Sequence, residues 1–282
     1  MDDVQATTGA SGRPDEAVVA ILGAGVMGET LLSGLLRAGR PVDELVVSER
    51  RPERVIELHD RYGVRVLDNA EAAALAGTVV LVVKPQDMSS LLAEIRDHLQ
   101  PGTLVVSLAA GITTKTLENG LPEGTPVVRV MPNTPARVDE GMAAISAGAH
   151  CDEDHLARAE KLLLSCGKVI RIGEQHLDAV TAISGSGPAY IFYVAEAMIE
   201  AGVLLGLPRV TSTELVVQTL YGAATMLRET GEHPTVLREQ VSSPAGTSMA
   251  ALRQLDDHKV RAAFLTAMEA ARDRSRELAE QG

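Results

Sequence analysis

The segment AVVAILGAGVMG, residues 17–28, joins an unbroken apolar run to a glycine-rich turn. An apolar run of this kind ending in glycine reads as a strand buried on both faces. Gly23, Gly25 and Gly28 fit G-x-G-x-x-G, and a helix is expected directly after, over 26–38, stopped by Gly39 and Pro41. Each glycine has its own reason. Gly23 permits a tight turn, Gly25 lets a pyrophosphate approach backbone that carries no Cβ, and Gly28 lets the helix lie close to the sheet. The helix start adds unpaired N–H groups and the positive end of a dipole. Strand, turn and helix in this order predict a dinucleotide-binding unit whose phosphate loop is Gly23, Ala24, Gly25, Val26, Met27 and Gly28.

The alternation continues outward. Strands are expected over 45–48, 64–66, 78–83, 103–108, 126–130 and 141–147. Helices are expected over 52–62, 69–76 (Asn69 as N-cap) and 88–98. Apolar strands alternating with such helices make βαβ units around a parallel sheet. From 175 onward the β-branched runs thin out. Long Ala-, Leu- and Met-rich helices follow, broken at Gly187-Pro188, Gly206-Leu207-Pro208, His233-Pro234 and Pro244. The expected fold class is α/β: a Rossmann dinucleotide-binding domain over 17–172, then an all-α domain over 173–282, with 1–16 as a disordered tail. The charged run from Arg272 to Arg276 reads as a solvated helix face.

At 282 residues the chain has room for two domains. Its formal net charge of −12 argues against a broad nucleic-acid or acidic-membrane surface, and four tyrosines, two phenylalanines and no tryptophan leave little for base stacking. No apolar run is long enough to span a membrane, and the polar N-terminus is not a secretory signal. Cys151 and Cys166 sit in no metal-ligand spacing, which reads as two structural thiols in a reducing cytoplasm and no metal.

At the end of the second strand stand Ser48, Glu49, Arg50 and Arg51. A carboxylate there takes the ribose hydroxyls of NAD, whereas an arginine takes the 2′-phosphate of NADP. Two guanidiniums and a hydroxyl against one carboxylate favour NADPH, with NADH as the alternative. Three more strand ends carry candidates: Val83, Lys84 and Pro85; the small residues Ala109, Ala110 and Gly111; and Asn133, flanked by Pro132 and Pro135. Open α/β sheets bind ligands at the carboxyl ends of their strands. The small residues leave room for a flat ring, and Asn133 offers a donor and acceptors.

Taken in order, GAGVMG (23–28), VKPQ (83–86), SLAAGIT (107–113), RVMPNTPA (129–136), SGSGPAY (184–190) and SSPAGTS (242–248) resemble the pyrroline-5-carboxylate reductases. The resemblance covers nearly the whole chain from about residue 17. It implies NAD(P)H-dependent reduction of the cyclic imine of L-1-pyrroline-5-carboxylate to L-proline, the last step of proline biosynthesis. It implies a helical domain that interlocks with a second subunit, giving dimers and, from dimers, decamers. It also implies substrate binding by Ser243, Gly246, Thr247 and Ser248, with the Ser248 hydroxyl at the ring nitrogen. Where the family commonly reads Ser-Pro-Gly-Gly-Thr/Ala-Thr, this chain has Ala245 and Ser248. The alanine implies a negative φ; the serine keeps the hydroxyl but loses the methyl that restricts its rotamer.

A protonated imine is already a strong electrophile. The protein then needs no nucleophile or metal, only to bind the carboxylate, orient the ring and hydrogen-bond its nitrogen. The amides of Gly246, Thr247 and Ser248, ahead of an apolar helical pattern, suit the carboxylate; on the plainer reading Ser243 or Ser248 is an N-cap. None of the seven histidines lies in a catalytic pattern. Gly and Pro inside a helix cost about 1 and 3 kcal/mol, so the break at 184–188 needs a reason, and a place near the nicotinamide is expected. Two other classes compete. A β-hydroxyacid dehydrogenase would use a lysine of its second domain, yet Lys84, Lys115, Lys161, Lys168 and Lys259 all lie outside the helix beginning near Pro188. A nucleotide-sensing module would need the glycine turn but not the 243–248 loop. The aliphatic helices after 188 suit either a subunit contact or a domain core.

Overall fold

The structure, a computed structural model, describes residues 15–281, with side chains over 17–279. The disorder expected for 1–14 lies outside the described residues. Asp15 and Glu16, expected in the tail, instead open the first strand. The chain forms two compact units, one running to Gly185 and taking back the chain from Asp273, the other Ser186–Arg272.

In the first unit the order is β1 (Asp15–Leu22), α1 (Val26–Arg37), β2 (Leu45–Ser48), α2 (Pro52–Tyr62), β3 (Arg65–Leu67), α3 (Asn69–Leu75), β4 (Ala76–Leu81), α4 (Met88–Ile95), β5 (Leu104–Ser107), α5 (Thr114–Gly120), β6 (Val127–Met131), β7 (Gly141–Ala147), α6 (Glu153–Leu163), β8 (Gly167–Arg171) and α7 (Leu177–Val180). The sheet order is β3-β2-β1-β4-β5-β6-β7-β8. Neighbours are parallel except β6 and β7. Only a short 3₁₀ segment, Thr134–Val138, joins β6 to β7. That is too short for a crossover, so β7 must return antiparallel. β2, β4 and β5 are buried along their whole length, as both faces of the sheet are covered. Val19 and Ile21 enter one core with Leu32 and Leu58, while Ala20 and Leu22 enter the other with Leu81 and Ile95. β1 and β4 are neighbours although β2 and β3 intervene in sequence, so the sheet switches direction at β1, where a crevice opens at the strand ends.

Several expectations need correction. Asp68, not Asn69, caps α3, accepting the Glu71 N–H at 2.7 Å. The expected strand over 78–83 runs over Ala76–Leu81. α5, α6 and β8 were not anticipated as elements. The first unit also extends past the expected boundary at 172, because Glu174 ties the following segment to the sheet. Its carboxylate accepts from the Thr114 N–H (2.8 Å), the Thr114 hydroxyl (2.6 Å) and Arg129 (2.9 Å). Burial works against that charge, but the Thr114 and Arg129 donors outweigh it and hold the carboxyl below its ordinary pKa. The 272–276 face is not simply solvated: Ser275 is buried and donates to Asp178 at 2.7 Å.

The second unit comprises α8 (Gly187–Leu204), α9 (Arg209–Thr230), α10 (Pro234–Gln240), α11 (Thr247–Asp257) and α12 (Val260–Gln281), the last running on into the first unit. α8 and α9 cross closely: a Cβ at Gly202 would stand 2.1 Å from the Ser212 Oγ, and that hydroxyl donates to the Ile199 carbonyl at 2.9 Å. Yet α8 buries no residue. Tyr193, Leu204 and Val210 are 74 %, 88 % and 80 % exposed. These helices are apolar without a core of their own, which is how a subunit interface looks in one protomer. Among the described residues no helix is long and apolar enough to cross a membrane.

Candidate cofactor and anion sites

The turn after β1 has the geometry that its glycines imply. Gly23 has φ +101, and a Cβ there would meet the Val82 carbonyl oxygen at 2.8 Å. A Cβ on Gly28 would fall 2.2 Å from the Gly23 oxygen, so the helix sits directly on the turn. Gly25 faces open space, with nothing within 4 Å of a built Cβ. It is the N-cap of α1 and supplies no side-chain cap. The N–H groups of Val26, Met27 and Gly28 make no hydrogen bond among the described residues. Those of Gly23 and Ala24 both donate to the Ser48 carbonyl, at 3.2 and 3.1 Å, which fixes the turn to the end of β2. Glu29, in the first turn of α1, would repel an anion here, but Arg54 (2.7 Å), Arg61 (2.8 Å) and Tyr62 (2.9 Å) hold its carboxylate. Burial opposes that charge and the three donors outweigh it, keeping the carboxyl below its ordinary pKa. A loop with unpaired N–H groups and open space in front fits a dinucleotide pyrophosphate.

At the end of β2 the side chains are paired among themselves. Glu49 accepts from the Arg50 N–H (2.9 Å), the Arg51 N–H (3.1 Å) and both sides of the Arg51 guanidinium (3.1 and 2.9 Å). The Arg51 guanidinium holds the Glu49 carboxyl below the usual carboxylate range. Arg50 reaches Glu94 at 3.3 Å. Ser48 is buried and donates to the Asn69 oxygen at 2.5 Å; the Asn69 nitrogen donates to Glu94 at 2.9 Å. Neither Asn69 nor Glu94 was anticipated at this site. Asn69 stood in the sequence as a plausible cap, and Glu94 as one more acid on a helix.

The other strand-end residues lie on adjacent strands. Val83, Lys84 and Pro85 follow β4, and the Val82 N–H donates to the Leu22 carbonyl at 2.9 Å beside the glycine turn. Ala109 is buried, Ala110 exposed, and Gly111 has φ +77. Asn133 is engaged at both ends of its amide, donating to the Ser184 carbonyl (3.1 Å) and accepting the Met142 N–H (2.8 Å); it braces the turns around it. Burial pushes both the Cys151 and Cys166 thiols up in pKa, so they are poor nucleophiles.

In the second unit, Gly246 is the N-cap of α11 and again gives no side-chain cap. Thr247 and Ser248 are the first two helical residues. Gly246 does not present a free amide as expected: its N–H donates to the Ser243 carbonyl at 2.9 Å. The N–H groups of Thr247, Ser248 and Met249 make no hydrogen bond among the described residues, so the anion-binding set moves one residue on. Ala245 corrects a second expectation, with φ +59. Pro244 followed by a left-handed residue, closed by the Ser243–Gly246 bond, is the pattern of a type II turn, and the turn prevails over alanine's preference for negative φ. Beside the break at 184–188, the Tyr190 hydroxyl is enclosed and has no partner among the described residues.

Comparison with known proteins agrees with these two sites. Residues 174–278 match the profile for pyrroline-5-carboxylate reductase dimerisation, and residues 18–111 that for coenzyme F420-dependent NADP oxidoreductases. A pyrroline-5-carboxylate reductase of Corynebacterium melassecola is 47% identical over 264 residues, covering 92% of this chain and 98% of the relative. A Mycobacterium tuberculosis enzyme of the same name is 41% identical, covering 93% and 97%. Among solved structures, a pyrroline-5-carboxylate reductase from Coxiella burnetii superposes with a TM-score of 0.89 at 36% identity, covering 93% of this chain and 98% of that one. A Plasmodium falciparum pyrroline carboxylate reductase with NADP bound gives 0.84 at 28%, covering 95% and 100%.

Proposed function

The chain belongs to the pyrroline-5-carboxylate reductase family, and from that premise we propose that it reduces L-1-pyrroline-5-carboxylate to L-proline with NADPH, NADH being the alternative donor. A nicotinamide dinucleotide supplies the hydride when bound. The chain's own residues do the rest. The start of α1 holds the pyrophosphate through the N–H groups of Val26, Met27 and Gly28, and Gly23, Ala24 and Gly25 shape the approach. Ser48, Arg50 and Arg51 receive the ribose end. Val83, Lys84, Pro85, Ala109, Ala110, Gly111 and Asn133 serve the remaining length of the dinucleotide. The substrate carboxylate is bound by the amides at the start of α11, in the turn shaped by Ser243 and Gly246, with Thr247 and Ser248 as donors. The Ser248 Oγ accepts the N–H of the protonated imine, fixing the ring and sustaining its positive charge. No side-chain nucleophile or general base is called for.

The single observation that carries this reading is the pair of glycine-capped helix starts with unpaired N–H groups, one for each anionic ligand, in a chain of this family. The chain acts as a homo-oligomer through its apolar helices, as dimers that assemble further into decamers, in the cytoplasm. In the deciding assay, purified chain is given NADPH and pyrroline-5-carboxylate while absorbance at the reduced nicotinamide band is followed. Consumption with stoichiometric proline is the expected result; cofactor binding without turnover would favour the nucleotide-sensing reading.

A further inference from the structure

The donors at the end of β2 that would meet a ribose phosphate are already held by acceptors of the chain itself. Glu49 takes the N–H groups of Arg50 and Arg51 and grips the Arg51 guanidinium from two sides at 3.1 and 2.9 Å. Glu94 takes Asn69 at 2.9 Å and Arg50 at 3.3 Å, and the Ser48 hydroxyl is engaged by Asn69. The side chain of Glu49 is 8% exposed while that of Arg51 is 56% exposed, so the carboxylate lies inside and the guanidinium folds over it.

We infer that Glu49 competes with the 2′-phosphate for the same donors and is the residue that sets the preference between NADPH and NADH. This rests on the reading that the chain binds a nicotinamide dinucleotide. A phosphate dianion needs several N–H donors and a local positive charge. Here the two arginines are balanced by two carboxylates, so a phosphate gains Arg51 only by displacing Glu49, and the displaced carboxylate then repels it. A ribose without the phosphate meets the opposite situation. Its two hydroxyls donate, and Glu49 accepts. One carboxylate therefore penalises the phosphorylated ribose and rewards the plain one. Glu94 acts more weakly, since its contact to Arg50 is longer and that arginine is 72% exposed.

The rival explanation is that Glu49 only shapes the turn, through its bonds to two backbone N–H groups. Glu49→Gln separates the two, because the amide oxygen can still accept those N–H groups while the charge is gone. Calorimetric titration of the full chain with 2′,5′-ADP, 5′-AMP, NADP+ and NAD+ reads the ribose site without turnover. In Glu49→Gln the ratio of 2′,5′-ADP to 5′-AMP affinity rises about tenfold, roughly one charge-assisted hydrogen bond, and NADP+ over NAD+ follows. Glu49→Asp, too short to grip Arg51 in the same way, moves the ratio in the same direction by less, and serves if the glutamine variant folds poorly. An unchanged ratio in a folded variant, or equal weakening of all four ligands, overturns the inference. A wild-type chain that binds neither dinucleotide overturns instead the cofactor reading beneath it.

Discussion

The starts of α1 and α11 share a backbone and differ in what holds it. Gly25 has φ −70 and ψ −165, Gly246 has φ −76 and ψ 169, and neither helix has a side-chain cap. Both leave N–H groups pointing outward, the arrangement that binds anions. The first start is locked by the sheet: Gly23 and Gly28 are pressed against backbone oxygens at distances where no Cβ fits. The second is locked by its own four residues, the Ser243–Gly246 bond and a left-handed Ala245. A Cβ at Gly246 would meet the Ser243 Oγ at 2.5 Å, a contact inside the same turn. One device is thus built by tertiary packing and the other by local turn chemistry.

That difference is tested most severely at Gly28 and Gly25. Gly28→Ala drives a methyl to 2.2 Å from a carbonyl of a turn that cannot retreat, because Gly23 is itself confined by Val82. A loss of about 3 kcal/mol or more in urea unfolding is expected, at the upper end of overpacking costs. Gly25→Ala puts its methyl in open space at an ordinary φ. Its stability should stay within about 0.5 kcal/mol of the parent. Affinity for NADP+ should nevertheless fall about tenfold or more, since the methyl stands before the N–H groups. If Gly25→Ala unfolds as readily as Gly28→Ala, the turn is not open and the comparison fails.

At the second start the expected effect is on turnover. Ser248→Ala removes the hydroxyl assigned to the imine nitrogen, and a hydrogen bond to a charged group is worth about 1.5–3 kcal/mol. A drop in kcat of about 10- to 100-fold follows, while the NADP+ dissociation constant, governed by the other unit, is nearly unchanged. Steady-state kinetics with a separate cofactor titration checks both. Unaltered kcat would leave Ser248 as a helix residue and nothing more.

What the sequence made legible follows the same division. β2, α2 and β7 fall at the expected residues, because period, a proline at the helix start and flanking glycines are local signals. The three glycines of the first turn could be read for the same reason. Glu174 could not: its partners Arg129 and Thr114 lie 45 and 60 residues away, and only the sheet brings them together. Nor could the end of β2. The order Ser-Glu-Arg-Arg announces the residue types, but not that Glu49 turns back upon Arg51 or that Asn69 reaches Ser48 across 21 positions. Ala245 was missed for a different reason. Its residue preference and its turn disagree, and the turn prevails.

The smallest effect, and the sharpest on local construction, belongs to that alanine. Holding an L-residue in the left-handed region costs about 1–2 kcal/mol. Glycine removes that cost but adds unfolded-state freedom worth about 0.4–1 kcal/mol. Ala245→Gly should therefore stabilise the chain by only about 0.5–1 kcal/mol, read as a small rise in the urea midpoint. The functional consequence has the opposite sign. If the turn is held by its own residues, loosening one of them makes the amides of Thr247 and Ser248 less well ordered, and the KM for the imine rises about threefold with no change in NADP+ affinity. A variant that is more stable and binds the substrate equally well would show that the second start, like the first, is held from outside.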